Sequence, residues 1–123
     1  MVTLEERIDK AIQLRKQGYN CAQCVAMAYD EELANVTAGL GSGVGGTGNI
    51  CGAANAMAIV CGEMTDAAPT DKPAYYTCVS NMIEKFRAAN NGNINCRDLR
   101  KPGSKTCVDL IKDAVRILHE EGF

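Results

Sequence analysis

Apolar and polar residues alternate with helical period along most of the chain. Thr3-Leu4-Glu5-Glu6 reads as a capping box, with Thr3 as N-cap and Glu6 at the third helical position. Leu4, Ile8, Ala11, Ile12 and Arg15 trace one mostly apolar face, and Gly18 stops the helix. Asn20-Cys21-Ala22-Gln23 repeats the capping logic and predicts a second helix reaching about Leu33. A third helical segment is expected to begin near Asn35 or Thr37.

The stretch from Gly39 to Gly48 then places six glycines in ten residues, which no ordinary helix tolerates. Asn49 is read as the cap of the following segment, Ile50–Cys61, which is apolar or small almost all round except at Asn55; that composition suits a central buried helix. Gly62 to Thr70 is a connector, with Pro69 and Pro73 marking the next start. From about Asp71 to Asn90, Ala74, Tyr75, Cys78, Val79, Met82, Ile83 and Phe86 form a continuous helical stripe. A short helix is expected at Asn95. Ser104 or Thr106 caps a last helix with the stripe Val108, Ile111, Ala114, Val115 and Leu118. The pattern predicts an all-α domain over residues 1–123, with five or six helices, no strand, and a glycine-rich loop before the central helix.

Composition narrows the function. With 123 residues and 46% hydrophobic content the chain has enough apolar side chains for one core. There is no tryptophan and there are two phenylalanines, so that core rests on Ala, Val, Ile, Leu, Met and Cys. A net charge of -2 and a pI near 5.4 argue against a nucleic-acid surface. No apolar run reaches membrane-spanning length and Met1–Lys16 is charged and helical, unlike a signal peptide, which points to the cytoplasm.

Seven cysteines is a high and odd count, and in a reducing compartment it points to metal binding or thiol chemistry rather than a disulfide framework. Four share a setting: Cys21 follows Asn20, Cys51 lies two after Asn49, Cys96 follows Asn95 and Cys107 follows Thr106. Each falls in the first turn of a predicted helix, where free N–H groups and the helix dipole favour thiolate, the form that ligates metals and attacks disulfides. Cys78 on the long stripe and Cys61 late in the buried helix read as core packing, because free cysteine behaves as a small hydrophobe. Cys24 completes a CxxC with Cys21; the spacing serves a redox dithiol, half a metal site or packing alike. Val25 stands where a haem-attachment motif needs histidine, and a zinc signature wants a second close pair.

The glycine run lacks the preceding strand and the GKS or GKT ending of a phosphate loop. Its better account is close backbone approach to a thiolate or cluster, or a tight connector between helices. His119 stands alone beside Glu120 and Glu121, and Asp30-Glu31-Glu32 reads as a solvated helix end. No catalytic residue follows from either, and whether the chain is an enzyme is left open.

Asn20-Cys21-Ala22-Gln23, Gly48-Asn49-Ile50-Cys51-Gly52-Ala53-Ala54, Cys96-Arg97-Asp98-Leu99 and Cys107 together resemble the small redox-active proteins defined by Cys, CGAxxG, Cys and Cys. The resemblance runs from about Gly18 to Leu118, and its four signature cysteines fall on Cys21, Cys51, Cys96 and Cys107. Cys24, Cys61 and Cys78 lie outside it, and Ala56 replaces the closing glycine of CGAxxG. A related module is similar to part of the split-Soret cytochromes, with which an iron–sulfur centre has been associated.

The leading expectation is electron transfer through an iron–sulfur cluster held by Cys21, Cys51, Cys96 and Cys107, with an unnamed redox partner protein. The alternatives are a metal-free thiol–disulfide protein using Cys21 and a partner cysteine, and a structural zinc site in an interaction module. A homo-oligomer is compatible with all three.

Overall fold

The computed structural model describes residues 2–123. Among them the chain forms seven α-helices: α1 (Leu4–Lys16), α2 (Cys21–Met27), α3 (Ala34–Thr37), α4 (Gly52–Met64), α5 (Lys72–Ala89), α6 (Cys96–Leu99) and α7 (Cys107–Glu120). The excess over five or six comes from α3 and α6, which are single turns. Short 3-10 turns, Glu31–Leu33 and Ala38–Leu40, flank α3. The one extended pairing among the described residues is an isolated antiparallel bridge between Ile50 and Asn95.

Capping decides several boundaries. Thr3, Asn20 and Thr106 each close a reciprocal capping box, with Glu6, Gln23 and Asp109 respectively. α2 ends at Met27 instead of continuing to Leu33. Asp30, in an extended conformation, turns its side chain onto the Glu32 N–H at 3.0 Å and starts a new turn there. α4 begins at Gly52, with Cys51 itself in the cap position, and runs past Cys61 to Met64. Asn49 does not cap it; its side chain donates to Thr47 Oγ1 and accepts from Arg97.

α2 and α4 make the most extensive contact between elements, and α1, α5 and α7 close around them. Ala22, Ala26, Ala53, Ala54 and Ala56 are buried there, so backbones approach closely with little side-chain bulk between them. Phe86, Met57, Met82, Leu110, Ile111 and Leu118 fill the remaining core. α5 inserts only Met82 and Phe86 fully, while Tyr75, Cys78, Val79 and Ile83 are half-buried against the core. Its stripe is wider than the surface offered by its neighbours, so Cys78 is less enclosed than its position predicts; Cys61 is fully buried. No described helix is long and apolar enough to cross a membrane.

Candidate redox centre

The starts of α2, α4, α6 and α7 converge. Cys21, Cys96 and Cys107 are the first residues of their helices and Cys51 occupies the cap of the fourth. All four line one small cavity of about 40 Å³, together with Asn20, Ser42, Arg15, Arg100 and Leu110. Cys21 and Cys51 are buried, whereas Cys96 and Cys107 are half-exposed. The other three cysteines are not part of this lining. Cys24 is fully buried one turn away and turns its thiol to the Tyr19 carbonyl at 3.6 Å, so the CxxC does not act as a facing pair in this fold. Burial pushes its thiol up to about 11, in keeping with packing.

The glycine-rich segment forms the roof. It folds on itself through bonds such as Gly48 N–H to Ser42 O at 3.2 Å and Asn49 N–H to Gly43 O at 2.9 Å. Gly43 adopts a positive φ of 73°, and a Cβ there would lie 2.6 Å from the Asn49 backbone. Ser42 and Val44 also take positive φ, of 52° and 66°. A β-branched residue rarely accepts that region, so this loop holds strain at the edge of the site. The turn places Ser42 in the cavity lining beside Cys21, where its amide helps to hold that thiol down. Arg97 fastens the far end, donating to Gly48 O at 3.1 Å and Asn49 Oδ1 at 2.7 Å, while the Cys96 N–H bonds Asn49 O at 2.7 Å. The α4 start is tied by Cys51 N–H to Ile94 O at 2.9 Å.

Gly52 explains why CGA begins as it does. A Cβ on it would sit 2.7 Å from Cys21 Sγ and 2.9 Å from Leu40 O, so only glycine lets the sulfur lie against the α4 start. Ala56, at the closing position of the motif, is fully buried and outside the cavity lining. Its methyl group therefore meets helix packing.

The thiols are electrostatically unequal. Cys21 is lowered to about 6, first because the Cys51 thiol donates to it, with amides of Ser42, Ala22 and Ala53 assisting against burial. Cys51 is pushed strongly up because its proton is held in that same bond and because it is buried. Burial also raises Cys96, with Arg100 opposing. Arg100 Nη1 approaches Cys107 Sγ at 2.6 Å. The site therefore combines one thiolate, a proton-bearing neighbour and two guanidinium groups. In metal-free, reduced protein, alkylation of Cys21 by iodoacetamide should rise with thiolate fraction and reach half its limiting rate near pH 6, as read by peptide mass mapping. Cys51→Ala should move that midpoint upward; a wild-type midpoint in the ordinary thiol range near 8.5 would contradict the pairing.

Four thiols around one cavity, with cationic side chains and amide donors beside them, fit the donor chemistry of an iron–sulfur cluster. The space is room for a few waters, so the walls must move outward to seat one. No group of three or more His, Cys, Asp or Glu among the described residues is arranged to hold a metal ion as folded. Sequence reasoning missed Arg15 and Arg100. Arg100 lies four residues after Cys96, a spacing that returns it to the same helical side, whereas nothing local marks Arg15.

Comparison with curated proteins and with solved structures finds no match in either. A family profile matches residues 19–121, which takes in the four converging cysteines, the glycine-rich roof and the helix starts that carry them. The chain belongs to the family described as "Putative redox-active protein (C_GCAxxG_C_C)".

Proposed function

We propose that the four-cysteine cavity is an electron-transfer centre in which Cys21, Cys51, Cys96 and Cys107 hold an iron–sulfur cluster. The observation that carries this reading is the convergence of four cysteines, delivered by four separate helix starts, on one cavity that also contains Arg15 and Arg100. A dithiol needs only two of those sulfurs and leaves Cys96 and Cys107 unexplained. A bound cluster would supply reversible electron uptake. The chain's own groups would offset its negative charge: the Ser42 and Ala53 amides beside Cys21, and the Arg100 guanidinium on Cys107. Half-exposed Cys96 and Cys107 bring the centre closest to solvent, where an electron partner would approach.

One observation favours a second reading. Cys21 and Cys51, both buried in the lining of one cavity, with Cys51 holding the Cys21 thiol down to about 6, suit thiol–disulfide exchange. The Cys21 thiolate would attack a substrate disulfide, releasing one thiolate and forming a mixed disulfide. Cys51, losing its proton, would then displace the second thiolate and close a Cys21–Cys51 bond. A structural zinc site would draw on the same four thiols and is the third reading.

Anaerobic purification followed by iron, zinc and acid-labile sulfide analysis separates the three. The expected result is iron and sulfide together with visible absorbance that dithionite bleaches. Colourless protein without iron, whose Cys21 and Cys51 cycle between thiols and a disulfide, would replace the cluster with the dithiol. Zinc alone at one equivalent would remove the redox assignment.

A further inference from the structure

Beside the cysteine cavity lies a larger chamber of about 400 Å³, lined by Arg15, Arg100, Lys101, Ser104, Lys105, Thr106, Cys107 and Val108. Arg15, Arg100 and Cys107 line both spaces, so the chamber adjoins the thiol cavity. In a chain of net charge -2, four of the 13 lysines and arginines gather here and no carboxylate joins them in the lining.

The cations are only partly committed. Lys105 is paired with Asp113 at 2.8 Å and donates to Ala89 O. Arg15 donates to Tyr19 O at 3.1 Å and Arg100 to Cys107 Sγ. Among the described residues none of Arg15, Arg100 and Lys101 has an ion-pair partner. Of these cations Asp113 on α7 therefore engages Lys105 alone, and the carboxylate of Asp109, also on α7, is engaged by the Thr106 amide and hydroxyl. The start of α7 is likewise occupied by its own capping box, so the cationic side chains and the Ser104 hydroxyl would do the binding. A concave space of this size, positive on several sides, concentrates small anions and offers forked donors suited to planar or tetrahedral oxyanions.

We propose that this chamber binds a small oxyanion carrying two or more negative charges, of the phosphate, sulfate or dicarboxylate type, and places it against Cys107 at the rim of the thiol cavity. The site is made by Arg15, Arg100, Lys101 and Lys105, and it stands whether the cysteines hold a cluster or a dithiol. Its occupant is either a substrate for the redox centre or an anion that tunes it.

The test uses the full-length ¹⁵N-labelled protein, titrated with inorganic phosphate and with sulfate at fixed ionic strength against chloride. Saturable amide shifts are expected at Ser104, Cys107 and Val108, with chloride giving none that saturate. Lys101 sits on an exposed loop, so Lys101→Ala and Lys101→Glu keep the fold, as unchanged shifts elsewhere will verify. Both should weaken the affinity, the charge reversal by about tenfold or more, because a charge-assisted contact is lost. Lys72→Glu, outside the lining, should leave it within about twofold. Linear shifts spread over every lysine-bearing surface, or unchanged affinity in both Lys101 variants, would overturn the proposal. Saturable binding of a polyglutamate peptide with neither oxyanion bound would also overturn it, and would make the chamber a docking face for an acidic protein.

Discussion

Cys51→Ser is expected to abolish iron, sulfide and visible absorbance in anaerobically prepared protein, while Cys78→Ala leaves all three at wild-type content. Cys51 caps α4, is 3% exposed, and touches both Cys21 and the shared cavity. Serine keeps the shape but replaces a soft thiolate with a hard, weakly ligating oxygen. Cys78, half-buried on α5, lies beside Cys61 near the end of α4 and outside the cavity lining, with burial and that neighbour holding its thiol up to about 11. Its truncation removes one small group and should cost about 1 kcal/mol or less. Cys24→Ser is expected to keep the cofactor, because its sulfur turns to the Tyr19 carbonyl. Full cofactor in Cys51→Ser together with its loss in Cys78→Ala would reverse the assignment of ligand and bystander.

The second large effect is a change of sign within one helix. Gly52 and Gly62 both lie in α4 and neither has a positive φ. A Cβ at Gly62 meets nothing within 4 Å, so Gly62→Ala should stabilise the protein by about 0.5–1 kcal/mol through lower chain entropy and better helix propensity. The same substitution at Gly52 drives a methyl to 2.7 Å from Cys21 Sγ and 2.9 Å from Leu40 O. It should destabilise by about 1–3 kcal/mol, as overpacking does, and should also displace the Cys21 sulfur. Urea melts of the two variants, with the pH midpoint of Cys21 alkylation, read both consequences. Stabilisation by Gly52→Ala with an unmoved midpoint would show that the close approach is not required.

Much of this was legible from local grammar. Thr3 and Asn20 are followed three residues later by Glu and Gln, and each closes the reciprocal cap that spacing predicts; of Ser104 and Thr106, it is Thr106 that caps the last helix, with Asp109 as its reciprocal partner. The four helix-start cysteines were separable from Cys61 and Cys78 because a cap is a property of adjacent residues. Other features depend on partners distant in sequence. Asn49 looks like a cap, yet Arg97 and Thr47 claim its side chain, and the bridge to Asn95 holds Ile50 out of the helix. Cys24 could not be sorted because α2 is buried almost all round, so periodicity names no single inward face. The basic chamber draws Arg15 from α1 and Lys101 from the α6–α7 connection.

The cysteines that meet in the cavity come from α2, α4, α6 and α7, so between Cys21 and Cys107 they bracket most of the chain. A centre that links Cys21 to Cys107 closes a long loop and restricts the unfolded ensemble; in the chain-entropy account closure of such a loop is worth about 4.5 kcal/mol, and a Cys21–Cys51 disulfide, closing a shorter one, is worth less. Occupancy of the centre and resistance to unfolding are then one linked equilibrium. On the proposed reading, loss of the centre removes that constraint, so the apoprotein is expected to unfold and be cut by protease more readily than the loaded protein.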